Sequence, residues 1–89
     1  MNIVYYYLTQ AGEQLTERLQ KTFGGVVRKK EFFTDAVLAQ DFQSKDAMIF
    51  VMAIGIVVRK IAPLLRSKLT DPAVIVLGQD GRYVISLLS

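Results

Sequence analysis

The uncharged run from Ala47 to Val58 carries a small-residue elbow at Ala53-Ile54-Gly55, and Arg59 is the first charged residue after Asp46. A buried strand that turns through such an elbow into a helix leaves the first helical N–H groups pointing outward and unpaired. Those donors, at the positive end of the helix dipole, suit carboxylate or phosphate oxygens. Arg59 stands one helical turn beyond Gly55 and shares its face, where a guanidinium can hold a carboxylate through two parallel hydrogen bonds. The pattern predicts anion binding at Ala53, Ile54, Gly55 and Arg59. Gly55 has a second reading, relief of crowding between helix and strand, and the sequence leaves the two open.

Asp71, in Thr70-Asp71-Pro72, is the remaining candidate. It can orient Arg59 or exchange protons with a ligand, or it can simply accept backbone N–H groups in an Asp-Pro turn. Arg59 in turn has Asp46 and Asp71 as alternative partners. The chain has no His and no Cys, which removes Ser-His-Asp catalysis, thiolate chemistry, disulfides, zinc fingers and histidine bases from these residues. Ser86 and Ser89 lack a base and a nucleophile-elbow pattern. No catalytic residue and no metal ligand are assigned.

The elements that must position the elbow can be read from patterning. Ile3 to Leu8 is β-branched and aromatic, as a strand requires. Thr9 caps a helix from Gln10 to Thr22, with an apolar row at Ala11, Leu15, Leu19 and Phe23. Gly24-Gly25 ends it. Val26 to Lys30 reads as a short strand with a basic end. A helix opens at Thr34-Asp35 and runs to about Gln43, with Leu38 and Phe42 inward. Ala47 to Met52 is the third strand, and a helix from Ile54 to Leu65 follows, broken near Pro63. Ala73 to Leu77 and Tyr83 to Leu88 are strands joined by the turn Gly78-Gln79-Asp80-Gly81.

The order βαβαβαββ predicts an α/β, three-layer Rossmann-like open sheet. Its strands run parallel in the order 2-1-3-4, with strand five antiparallel at the edge. Residues 1–89 form a single domain with one core, and 52% hydrophobic residues supply it. The apolar strand that ends at Ser89 predicts the N-terminal part of a longer protein.

Composition also bounds the partners. The uncharged run is well short of the roughly 20 residues of a membrane span, and Met1-Asn2-Ile3-Val4 lacks the basic start of a secretory signal. A cytoplasmic protein without a membrane partner is expected. Net charge is +3, a mild bias. Arg28-Lys29-Lys30 at the end of an edge strand reads as protection against strand pairing, so no nucleic-acid partner is expected. The helix Ile54–Leu65 is apolar on more than one side. It predicts a contact with a downstream domain of the same protein or a homo-oligomer.

Three segments carry a family resemblance. Met52-Ala53-x-Gly55-Ile56-Val57-Val58-Arg59-x-Ile61-Ala62-Pro63-Leu64-Leu65, then Lys68-x-Thr70-Asp71-Pro72-Ala73-Val74, then Asp80-Gly81-Arg82-Tyr83-Val84-Ile85-Ser86-Leu87-Leu88-Ser89 resemble the N-terminal region of the CbiG family, the cobalt-precorrin-5A hydrolases of anaerobic cobalamin biosynthesis. The resemblance is dense over the second half of the chain and covers the first 46 residues only in layout. It implies a hydrolase that opens a δ-lactone on a cobalt corrinoid and releases acetaldehyde. It also implies a carboxylate-rich substrate bound at Ala53, Ile54, Gly55, Arg59 and Asp71. Cobalt arrives within that substrate, so no separate cofactor is implied. Ile54 departs from the family, where a smaller residue is expected. The family continues with Gly-His-x-Gly-Gly-Ala-Asn and a C-terminal domain. These 89 residues alone are therefore expected to bind rather than turn over. The alternative is a non-catalytic docking or regulatory domain.

Overall fold

Strand and helix alternate along the chain in the computed structural model, which describes residues 1–88. The elements are β1 (Ile3–Tyr7), α1 (Gln10–Phe23), β2 (Val26–Arg28), α2 (Asp35–Ser44), β3 (Ala47–Val51), α3 (Ile54–Ile61), β4 (Ala73–Leu77) and β5 (Val84–Leu88). Short 3-10 turns occupy Lys30–Phe32 and Ala62–Leu64. The sheet order is β2-β1-β3-β4-β5, parallel except for the β4–β5 pair. This is the expected topology. β2 ends at Arg28, before the expected Lys30, because Lys30 already enters a 3-10 turn. Ser89 lies outside the described residues.

Period-two alternation sends one set of strand side chains to each face. Val4, Tyr6, Met48, Phe50, Met52, Val74 and Val76 form the core with Leu38 and Phe42 of α2 and Val57 and Ile61 of α3. Right-handed crossovers put α2 and α3 on this face and α1 on the other. α3 stops at Ile61, and Pro63, which has no N–H to continue the helix, sits in the 3-10 turn that follows. The predicted break near Pro63 is therefore present.

The apolar row of α1 is not its contact face. Ala11 and Phe23 are exposed and Leu15 and Leu19 half-buried, whereas Gly12 and Thr16 are buried. Gly12 makes the close approach: a side chain there would begin 3.2 Å from Tyr7 Cβ and 3.3 Å from the Val51 carbonyl. Thr16 tolerates burial because its hydroxyl donates to the Glu13 carbonyl at 2.8 Å. α1 ends at Gly24 and Gly25. Gly25 adopts φ 101°, and a Cβ would fall 2.5 Å from the Ile3 carbonyl oxygen.

One ionic cluster ties the β2 edge to the core. Arg28 donates to Asp41 through Nη2 at 2.8 Å and Nε at 3.0 Å. The Tyr6 hydroxyl donates to the same carboxylate through a short bond, and the Tyr6 ring stacks on Phe50 at 5.1 Å. The Asp41 side chain is 2% exposed and the Arg28 side chain 31%. Burial alone would raise the carboxyl pKa of Asp41, but the hydrogen bonds from Arg28 and Tyr6 and the nearby positive charges prevail and lower it. The Tyr6 phenol is pushed up, chiefly by burial and then by Asp41. Arg28 is thus paired within the fold and half-buried, and of the basic triplet only Lys29 and Lys30 are fully exposed.

Candidate functional site

Parallel strands deliver the starts of all three helices to one edge of the sheet. Two of them are capped in the usual way. Thr9 Oγ1 accepts from Gly12 N–H at 3.1 Å and Thr34 Oγ1 from Val37 N–H at 3.3 Å. The third is bare. Ala53, in extended conformation before α3, has no side-chain acceptor, and only the tight bond from Ile56 N–H to the Ala53 carbonyl, at 3.2 Å, closes the first turn. No acceptor bonds the N–H of Ile54 or Gly55 among the described residues.

The bare start lies where the sheet order reverses. β1 leads outward to β2 and β3 leads the other way to β4, so the crevice beyond Tyr7 and Val51 is the topological switch point. Gly55 is exposed, and a Cβ placed on it would meet nothing within 4 Å. The crowding reading of Gly55 therefore fails within this domain. Ile54 packs its side chain against the core and does not plug the outer surface. Ala53 is exposed beside it.

Arg59 is exposed on the same side of α3 as Gly55, four residues on. It lines a depression of about 400 Å³ with Asp35, Lys60, Pro63 and Leu64. Among the described residues it forms no ion pair. Asp35 is taken by Lys60 at 3.0 Å, and Asp46 accepts from Asn2 N–H at 2.7 Å.

Asp71 does not join this group. It precedes β4, whose first residue Ala73 is paired with Ala47 at the start of β3, whereas the elbow follows Val51 at the end of β3. Four strand residues separate the two edges, roughly 13 Å at about 3.3 Å per residue. The Asp71 carboxylate accepts from Arg66 N–H at 2.9 Å, which is the turn reading. Of the two readings of Asp71, the structure shows the turn, and among the described residues Asp71 and Arg59 form no ion pair.

Two features of the edge were missed from sequence. Thr9 Oγ1 also donates to Gln79 Oε1 at 2.6 Å, joining the β1–α1 loop to the β4–β5 turn. Lys29 and Lys30 line a polar hollow of about 480 Å³ with Tyr7, Thr9, Glu13 and Glu31. Their place at the carboxyl end of a parallel strand was the available signal. Ser86 is exposed on β5. Among the described residues, no three acidic, His or Cys groups gather as a metal site, and no helix is long and apolar enough to cross a membrane.

Comparison with known proteins agrees with the topology. A sequence model of the family described as Cobalamin synthesis G N-terminal matches residues 36–89. A cobalt-precorrin-5A hydrolase of Priestia megaterium is 38% identical over 86 residues, covering 94% of this chain and 21% of the relative. One of Salmonella typhimurium is 52% identical over 50 residues, covering 56% of this chain and 14% of the relative. The crystal structure of a cobalamin biosynthesis protein G homolog from Sulfolobus solfataricus superposes with a TM-score of 0.79 at 28% identity, covering 98% of this chain and 29% of that one. The chain thus spans about a fifth or less of the curated relatives it matches. It belongs to the cobalamin synthesis G N-terminal family, the CbiG N-terminal domain.

Proposed function

We propose that this domain serves a cobalt-precorrin-5A hydrolase by holding acetate and propionate groups of the cobalt corrinoid at the start of α3, while the lactone of the substrate is opened. The supporting observation is the uncapped turn Ala53-Ile54-Gly55, open above Gly55, at the switch point of the sheet. The donors at Ile54 and Gly55 are preorganised for a carboxylate oxygen, and the dipole of α3 favours its charge. Arg59 adds an exposed guanidinium on the same flank. Asp71, at the far edge, contacts only a substrate large enough to reach around the domain. Lactone opening needs a water and a base, and no residue of this chain is assigned as that base. The two relatives' names carry the reaction class to this proposal.

The test is a titration of the isotopically labelled chain with a cobalt corrinoid bearing free carboxylates. Amide resonances of Ile54, Gly55 and Ile56 should move first, with the Arg59 side chain. Changes confined to β5 or to the outer side of α1 would instead support the docking reading. That reading has its own observation: Ile49, Ile75 and Leu77 on the α1 side of the sheet are only half-buried.

A further inference from the structure

We propose that Tyr83 is the residue on which the corrin ring itself rests, while carboxylates on the rim of that ring reach the start of α3. The inference rests on the corrinoid reading above. It adds a positioning residue for the conjugated ring, which a carboxylate site alone does not hold.

It begins with a glycine that the backbone does not require. Gly78 is not among the glycines at positive φ, yet a Cβ on it would fall 2.7 Å from Tyr83 Cε2 and 3.0 Å from Cδ2. The missing side chain makes room for the ring. Gly78 is buried beneath it, while Tyr83 stays 44% exposed. The ring is thus seated on main chain on one side and open on the other.

Register then determines where the ring lies. Gly78 N–H donates to the Tyr83 carbonyl at 3.1 Å, one step beyond the pair Leu77 and Val84. Leu77 is itself paired with Val51, so Met52, Gly78 and Tyr83 stand level across β3, β4 and β5. Val76 and Ile85, which are paired, pack into the core with α3, and alternation sends Gly78 and Tyr83 to that same face. Tyr83 therefore shares with the start of α3 both an edge of the sheet and a face of it. Two strand spacings, roughly 10 Å at about 4.8 Å each, separate it from Met52. β5 then carries the chain away from this edge, since Leu88 is paired with Val74 near the start of β4.

The turn that carries the ring is braced. Gly81 N–H donates to the Gly78 carbonyl at 2.9 Å, Asp80 accepts from Arg82 N–H at 3.0 Å, and Gln79 is tied to Thr9. A side chain already fixed loses little freedom when a ligand covers it. A corrin is a conjugated, roughly planar macrocycle with its acetate and propionate groups on the rim. Its face suits offset stacking on an aromatic ring. Its width is comparable with the spacing between Tyr83 and the elbow, so a corrin resting on Tyr83 brings rim carboxylates to the N–H groups of Ile54 and Gly55.

Tyr5, Tyr6 and Tyr7 are buried, so Tyr83 is the tyrosine whose ring a ligand can reach. In the 89-residue chain with labelled tyrosine rings, titration with a cobalt(III) corrinoid bearing free carboxylates should shift the Tyr83 ring resonances upfield. The shift should run in step with those of the Ile54 and Gly55 amides. Tyr83→Leu should weaken affinity about three- to tenfold, and Tyr83→Phe, which keeps the ring, should bind like wild type. Should Tyr83→Leu fail to fold, the ring resonances of the unaltered chain decide alone. Three results would overturn the proposal and leave the carboxylate site standing: elbow amides that move while the Tyr83 ring does not, Tyr83→Leu binding as tightly as wild type, or Tyr83→Phe binding as weakly as Tyr83→Leu. A titration that moves neither the amides nor the ring would overturn both readings.

Discussion

Thr9 Oγ1 donates to Gln79 Oε1 at 2.6 Å and accepts from Gly12 N–H at 3.1 Å. One hydroxyl thus starts α1 and ties the β1–α1 loop to the β4–β5 turn, across the end of β3. Its two bonds have separable consequences. Thr9→Ala loses the cap and should lower unfolding stability by about 1 kcal/mol. Gln79→Ala loses only an exposed bond and should cost less than about 0.5 kcal/mol. Urea titration measures both, and amide exchange should quicken over Gly78 to Gly81 in either variant. Equal losses would show that the bridge, not the cap, is the stabilising bond.

Asp41 predicts an acid dependence. Its carboxyl pKa is lowered in the folded state by Arg28 and Tyr6, which outweigh its burial. A depressed folded pKa stabilises the protein above the unfolded carboxylate value and loses that contribution as pH falls through the folded one. Wild-type stability should therefore decline as pH falls below about 4, and Asp41→Asn should flatten that part of the curve. At neutral pH the same variant leaves Arg28 without its charge partner. Because Arg28 is partly exposed, water takes up some of the loss, and about 2 kcal/mol is expected. A stability–pH profile of both proteins checks the sign and the size.

Local signals placed the elements because each was physically unambiguous. Thr9 and Thr34 did cap helices, Gly24 and Gly25 did take positive φ, and Gly78 to Gly81 did turn the hairpin. The parallel order followed from alternation alone. What patterning could not show was contact across the chain. The row Ala11, Leu15, Leu19, Phe23 satisfied helical periodicity, yet the sheet is met by Gly12 and Thr16, because close approach rewards a missing side chain over an apolar one. Asp71 had two readings in sequence, orienting Arg59 or closing an Asp-Pro turn, and only the fold, through the bond from Arg66 N–H, decided for the turn. The Arg28–Asp41–Tyr6 cluster had no sequence signature, since its members come from three elements. At the elbow, sequence showed the small residues, and only the fold showed that Gly55 has nothing beside it.

That empty space makes Gly55 a discriminating position. Nothing within 4 Å opposes a methyl group there, and alanine favours the helical state over glycine. Gly55→Ala should stabilise the isolated domain by up to about 0.5–1 kcal/mol. Gly55→Val, β-branched, should gain less. Both should weaken corrinoid binding if main chain and ligand approach closely, valine more than alanine. Calorimetric titration beside a thermal melt reads the two effects together. Gains in stability with unchanged affinity would remove Gly55 from the site.

Arg59 and Asp71 make a paired test of which edge of the sheet the ligand uses. Arg59 is exposed and without an ion pair among the described residues, so Arg59→Ala should leave stability within about 0.5 kcal/mol. Lost carboxylate pairing should then appear as several-fold weaker corrinoid affinity and a smaller dependence on salt. Asp71 accepts the Arg66 N–H, so Asp71→Ala should loosen the turn before β4 and lower the melting temperature, with affinity unchanged. The opposite pattern, affinity lost through Asp71 and kept without Arg59, would move the binding edge from the carboxyl ends of the strands to the amino ends.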